Sequence, residues 1–194
     1  MKILLAFFRS KLMYETLVAL GHEVHSCDLQ PALHLGNHHQ GNVFDIIKHN
    51  WDFVLSCPPC TYLTKAQIHL LHKSTERRMQ AFDALADVKK IYNCGANQIV
   101  IENPPGMLNS YWQKPNQIIR PSFFGDPYHK ELCLWTKNVA PLLISYRTHK
   151  TKSLDNHTNS RMTNLERSNI RSSWDWFPYM VAAMAAQWFT PKPP

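Results

Sequence analysis

No run in this 194-residue chain approaches the roughly 18 consecutive apolar residues that a membrane-spanning helix needs, so no membrane span is expected. Internal repeats are also missing. One domain over residues 1–194 is the expected organisation, a length able to bury a real hydrophobic core. The apolar start, Met1 to Phe8, has no small-residue cleavage site, and Arg9 and Lys11 follow at once. It therefore reads as a first buried strand rather than a signal peptide. The five cysteines (27, 57, 60, 94 and 133) are odd in number and scattered. Such a set makes no disulfide framework and points to reduced thiols in a cytoplasmic compartment.

What the chain does have is positive charge. Lysine and arginine number 21 against 14 acids, a formal charge of +7. The excess is partly local: residues 147 to 171 hold Arg147, Lys150, Lys152, Arg161, Arg167 and Arg171 against only Asp155 and Glu166. This balance favours an anionic partner, a nucleotide or nucleic acid.

Apolar runs and helical periodicities alternate. Strands are expected at Lys2–Phe8, Glu23–Asp28, Asp52–Ser56 and Gln98–Ile101, and helices at Leu12–Leu20 (stopped by Gly21), Val43–Lys48 and Ser74–Tyr92. In the last of these, Met79, Phe82, Leu85, Ala86 and Ile91 make the apolar face. Pro31–Gly41 reads as a loop. The alternation predicts an α/β fold, a doubly wound, Rossmann-like, mostly parallel sheet with helices on both faces. Further strands are expected at Ile118-Ile119 and Leu132–Trp135. Residues 145–173 read as a long basic loop, and 178–189 as a C-terminal helix opened by Pro178. Trp174-Asp175-Trp176-Phe177 suits either stacking on a base or anchoring that helix. The tail, Pro191 to Pro194, is expected to fray.

Two strands end in the same way. Phe53-Val54-Leu55-Ser56 runs into Cys57-Pro58-Pro59-Cys60-Thr61-Tyr62-Leu63-Thr64, and Gln98–Ile101 runs into Glu102-Asn103-Pro104-Pro105-Gly106. Proline has no N–H for a sheet ladder, so the chain must leave the sheet at both places. In a parallel sheet both exits lie at the carboxyl edge, where ligands bind. A thiol and a carboxylic acid on one edge suit attack on a pyrimidine ring: sulfur adds to C6, and the acid holds N3. Cys60 and Glu102 are the expected pair, and Cys57 is read as the buried end of its strand. Cys57-x2-Cys60 with His69-x2-His72 also has zinc-like spacing. Because the prolines stiffen the turn and the gap to His69 is short, no metal is assigned. Asp28, closing the second strand, is placed to take ribose hydroxyls. Thr61, Thr64, Lys114, Gln117 and Lys130 could line the cleft on the substrate side.

At these residues the chain resembles the DNA cytosine-5 methyltransferases, and more closely the short methyltransferase-like proteins of bacteriophages and prophages. The likeness runs through Gly21-His22, Ser26-Cys27-Asp28, Gln40-Gly41, Pro58 to Thr64, Glu102-Asn103-Pro104, Lys114-Pro115-x-Gln117, Phe124-Gly125, Cys133-Leu134-Trp135 and Ala182 to Trp188. It implies a sheet that binds S-adenosylmethionine through Phe7, Phe8, Arg9, Asp28, Leu29, Asn42, Val43 and Pro58. It further implies Cys60 as the nucleophile and Glu102 as the group on N3, with Pro59 shaping the loop and Asn103 steadying it. The activity implied is C5-methylation of cytosine in DNA or as a nucleotide, with a targeting protein as a conceivable partner. Three departures accompany the match. The turn after the first strand, Phe8-Arg9-Ser10-Lys11, has no glycine for close backbone approach. Asn42 stands where an acid is expected. Only about forty residues separate Trp135 from the last helix, in place of a target-recognition domain. The alternative reading is a catalytically degenerate module that holds a nucleotide or nucleic acid.

Overall fold

Ile3, Leu4, Leu5 and Ala6 are all fully buried, with Ile3 and Leu5 in one apolar cluster and Leu4 and Ala6 in another. A strand buried on both faces belongs at the centre of a layered α/β fold. In the computed structural model, which describes residues 1–68, 71–144 and 174–190, this strand, β1 (Lys2–Ala6), is an interior strand, third in the order of a seven-stranded sheet. The others are β2 (Glu23–Asp28), β3 (His38–Gln40), β4 (Phe53–Ser56), β5 (Gln98–Asn103), β6 (Gln117–Ile119) and β7 (Leu132–Lys137). Their order is β3-β2-β1-β4-β5-β7-β6. The first five run parallel, and β7 is inserted antiparallel between β5 and β6. Strand order reverses between β1 and β4, and such a reversal opens a crevice at the carboxyl ends of the strands.

Helix α1 (Lys11–Ala19) and the last helix α5 (Pro178–Met184, continued as a π-helical turn to Phe189) cover one face. The other face is covered by α3 (Thr75–Tyr92) and the short α4 (Met107–Tyr111); a single turn, α2 (Lys65–Ile68), follows β4. The expected stripe of α3 holds in part, with Leu85 and Ile91 buried. Its buried residues are Ala81, Leu85, Val88 and Ile91, whereas Met79, Phe82 and Ala86 are exposed. Small Ala81 and Val88 let the helix lie close on the sheet, and Phe82 instead packs edge-on against Tyr111 at 5.8 Å. Ser74 caps α3, with Glu76 in the first turn and Lys89 and Lys90 in the last, as the helix dipole favours.

Other differences are local. The expected loop 31–41 contains β3, and 43–48 holds only a 3-10 turn, Val43–Asp45. Strand β5 extends through Glu102 and Asn103 themselves. Helix α5 is capped from outside: Phe177 offers no cap, and buried Asp126 accepts from the N–H groups of Tyr179 (3.2 Å) and Met180 (2.9 Å). Trp174 and Phe177 are buried and anchor this helix to the core. His69, the side chain of Trp176, the basic segment 145–173 and the tail 191–194 lie outside the described residues. No helix among those described is long and apolar enough to cross a membrane.

Candidate active site

Strands β4 and β5 are parallel neighbours in a register that pairs Leu55 with Val100 and Ser56 with Ile101. The next pair beyond the ladder is Cys57 beside Glu102. Side chains alternate between faces, so both follow Leu55 and Val100 onto the face covered by α1 and α5. The Cys57 thiol donates a hydrogen bond to the Glu102 carboxylate. Burial pushes the Glu102 carboxyl above its ordinary range, while the Lys130 ammonium and the Cys57 thiol draw it partly back. Burial likewise raises the Cys57 thiol well above the usual value; the charge and hydrogen bond of Glu102 add to this, and Lys130 opposes it. Lys130 is exposed just before β7, which starts at this edge because it runs antiparallel. Its ammonium sits 4.8 Å from the centre of the Phe177 ring.

Asn103 turns to the other face. Its side-chain N–H donates to the carbonyl of Pro58 at 2.8 Å, so the residue after the acid holds the loop that carries the thiols. Its Oδ1, and the Oγ of Ser56, are buried with no hydrogen-bond partner among the described residues. The two Pro-Pro exits are then stitched along their length. Met107 N–H donates to Leu63 carbonyl at 2.6 Å, Lys65 N–H to Pro105 carbonyl at 3.2 Å, and Thr64 forms a bridge with Gly106. Gly106 has extended backbone that any residue could adopt, but a Cβ there would lie 1.9 Å from the Leu63 carbonyl oxygen. Only glycine lets the exits approach this closely.

Cys60 stands half-buried at the head of a tight turn whose carbonyl accepts from Leu63 (2.9 Å) and Thr64 (3.2 Å). Pro58 is buried, and Pro59 and Thr61 face outward. None of the five cysteines is in a disulfide, and burial lifts the Cys27 and Cys133 thiols to about 11, which marks them as core residues. Among the substrate-side residues, Thr61, Thr64 and Lys130 come to this edge. The segment that carries Lys114 is held beside β7 by the Asn116 N–H on the Leu134 carbonyl and by the Trp135 indole N–H on the Gln113 carbonyl, and both ends of the Gln117 amide are taken by Leu142. The sequence misses Cys57 and Gly106. Parity was the available signal for Cys57, since it lies two residues after inward Leu55; the Pro-Pro-Gly sequence was the signal for Gly106.

The carboxyl end of β1 is built differently. Phe7 takes a left-handed backbone (φ 55°), a conformation glycine adopts freely and a phenylalanine adopts under strain. Phe8 is buried, edge-on to Trp174 at 5.2 Å. The Arg9 guanidinium bonds the side chain of Gln30. Ser10, fully buried, caps α1 and donates to the Asp175 carboxylate at 2.5 Å, and the N–H of Leu12 donates to the same oxygen at 2.7 Å. Asp28 closes β2 with one oxygen accepting from the N–H of Gln30 at 2.9 Å, and Leu29 beside it is exposed. Asn42 caps the 3-10 turn by accepting from Phe44 N–H, and Val43 is buried in the core.

A cavity of about 340 Å³ lies elsewhere, among His25, His38, His39, His49 and Trp51, and is lined by none of the expected site residues. The described residues contain no cluster of three or more His, Cys, Asp or Glu able to hold a metal. Comparison of the sequence with protein-family models and with curated proteins returned no match to either.

Proposed function

We propose that this chain engages a cytosine base, as a free nucleotide or within DNA, and that Cys60 adds reversibly to C6 while Glu102 serves N3. The observation that carries the proposal is the seam between the two strand exits. It ties the Cys60 turn to the strand end that bears half-buried Glu102, whose carboxyl is pushed above its ordinary range by desolvation. In the step, the Cys60 thiolate forms a bond to C6, and the C5=C6 electron pair shifts toward C5 and the N3 side of the ring. Glu102 donates its proton to N3 and is left as a carboxylate, a state that Lys130 and the Cys57 thiol stabilise. C5 is then nucleophilic and takes a proton from water. Reversal removes the original C5 hydrogen, expels the thiolate and returns the N3 proton to Glu102. A base in duplex DNA would have to leave the stack first, and the net charge of +7 favours phosphate-bearing partners.

Methyl transfer is what the resemblance to cytosine-5 methyltransferases adds, on a doubly wound sheet that is compatible with it. The residues at the end of β1 do not fit the amino-acid end of S-adenosylmethionine as they stand. That turn has no glycine, Phe8 and Trp174 fill it, and the α1 N-terminus already holds a carboxylate. The same observation favours a second reading, a degenerate methyltransferase-like module, of the kind a phage would direct at its host, that binds a nucleotide or nucleic acid without chemistry.

Exchange at C5 separates the two. In D2O the wild-type protein should replace the C5 hydrogen of dCMP or of a cytosine oligonucleotide with deuterium, followed by proton NMR. Cys60→Ala should abolish the exchange, and Glu102→Gln should slow it by about 10²-fold or more. Binding without any exchange would leave only the module. Exchange that survives Cys60→Ala would exclude the proposed nucleophile.

A further inference from the structure

The loop of residues 29–37 leaves the carboxyl end of β2 and doubles back beside it to start β3, where His38 pairs with Ser26. Ser26 is fully buried, and its Oγ lies 2.8 Å from His34 Nε2 and 2.7 Å from His38 Nδ1. The His34 ring is 8 % exposed and stacks on Tyr14 of α1, with ring centres 3.6 Å apart. Tyr14 donates its hydroxyl proton to the Val24 carbonyl and accepts from the N–H of Asn37 at 2.8 Å. Gly36 lets the loop come this close, since a Cβ there would lie 2.2 Å from the Tyr14 oxygen. The donors then fix the order of the protons. The Gln30 carbonyl only accepts, so His38 Nε2, 3.0 Å from it, carries a proton. In a neutral ring His38 Nδ1 is then the acceptor and takes the Ser26 hydroxyl proton. Ser26 Oγ is left to accept from His34 Nε2. The His34 lone pair therefore sits on Nδ1, which is buried with no hydrogen-bond partner among the described residues.

We infer that Ser26, His34 and His38 form a pH-sensitive latch, which holds residues 29–37 against β2 and α1 while His34 is neutral and releases them when His34 takes a proton. That proton can add only at Nδ1, where a charged N–H would be buried without an acceptor. The Tyr14 ring favours an imidazolium, but one cation–π contact is weaker than this cost. The titratable and charged groups that face His34 are His38 on β3, Glu15 and Lys11 on α1, and Asp175 ahead of α5. Burial is the largest influence and His38 adds to it, both keeping the ring neutral, while Glu15 and Asp175 oppose them. The closed loop therefore binds this proton less readily than the open one. Closure is fully stable above the ordinary histidine range and weakens as pH falls through and below it. The Leu33 N–H donates to the Arg9 carbonyl at 3.4 Å, and the Arg9 guanidinium bonds Gln30, so release also frees the turn after β1. The latch does not depend on Cys60 chemistry.

The test is amide hydrogen exchange of the full chain at about pH 7.5 and about pH 5.5, corrected for intrinsic rates and read by mass spectrometry on peptides covering residues 29–37. In wild type the opening of this segment should rise several-fold, to at most about tenfold, while β1 and β4 keep their protection. His34→Phe keeps the stack on Tyr14 and has no proton to take. His34→Gln keeps a donor to Ser26 in a smaller side chain. Both should lose the rise, with unchanged far-UV circular dichroism verifying the fold. Long-range proton–nitrogen NMR of the rings at about pH 7.5 should find His34 and His38 protonated at Nε2 alone. The inference is overturned if wild-type opening is equal at the two pH values or if β1 and β4 open with the loop. It is also overturned if either folded variant keeps the rise, or if neutral His34 carries its proton on Nδ1.

Discussion

Replacing Gly106 by alanine adds one methyl group at the seam between the two strand exits. The φ of this residue is extended, so the substitution brings no backbone strain of its own and the effect is purely steric. The new Cβ would lie 1.9 Å from the carbonyl oxygen of Leu63, and 2.9 Å from both the Leu63 carbonyl carbon and the Thr64 Cα. All three are backbone atoms, so no side chain can swing aside. Ordinary contact begins near 3.4 Å, and 3.4 − 1.9 means the backbones must part by about 1.5 Å. That separation breaks the Met107–Leu63 and Lys65–Pro105 hydrogen bonds and the Thr64–Gly106 bridge. At about 1 kcal/mol net for each bond, stability should fall by about 2–4 kcal/mol. For a chain of this size that is a drop of roughly 5–12 °C in melting temperature. Chemistry should suffer more than folding, because a shift of about 1 Å between reacting groups costs on the order of 10²-fold in rate. Thermal denaturation followed by circular dichroism, and C5 exchange on dCMP below the variant's melting point, measure both. A variant that melts within about one degree of wild type and exchanges at the same rate would refute the idea that the seam positions Cys60 against Glu102.

Glu102→Gln should stabilise the protein above the ordinary carboxylate range. Burial raises the folded-state pKa of Glu102, so the folded chain holds that proton more tightly than the unfolded chain. Wild type therefore loses stability as pH climbs from about 4.5 through the raised value, and the glutamine variant does not. Melting curves across that range should converge at the acid end and separate as pH rises; curves that stay parallel would count against a Glu102 carboxyl raised by desolvation. Cys57→Ala removes a donor to the carboxylate and should move Glu102 further up, shifting the alkaline limb of the exchange profile to higher pH; an unmoved limb would rule out the contact as a tuning element. Asp126→Ala leaves the N–H groups of Tyr179 and Met180 unpaired at the start of α5 and should cost about 1–2 kcal/mol in denaturant unfolding, with Asp126→Asn recovering most of it.

All the strands but β3 were legible in the sequence because each carries a short apolar run closed by a polar or proline break, and the alternation with helices implies parallel crossovers for the first of them. What could not be read was anything decided between segments distant in the chain. The stripe of α3 that packs on the sheet is chosen by closeness of approach, which favours Ala81 and Val88 over the larger Met79 and Phe82. Three-residue β3 forms only because β2 offers it an edge. Gln117 carries a polar amide that looks free for a ligand until Leu142 returns beside it.

The thiol is the sharpest case. Pro-Pro-Cys directs attention to Cys60, yet register is the stronger constraint on what touches Glu102. Once Leu55 pairs with Val100, strict alternation carries Cys57 to Glu102 and leaves Cys60 on the turn beyond. The two cysteines therefore do different work by geometry. Cys57 is bound to the acid, with its thiol held protonated by burial and by the neighbouring carboxylate, which makes it a poor nucleophile. Cys60, outside that ladder, sits half-buried at the head of the turn and is the thiol that the proposed chemistry would use. The same division runs through the whole edge: the ends of β4 and β5 are joined beside Cys57 and Glu102, while the end of β1 is closed by Asp175 and Trp174.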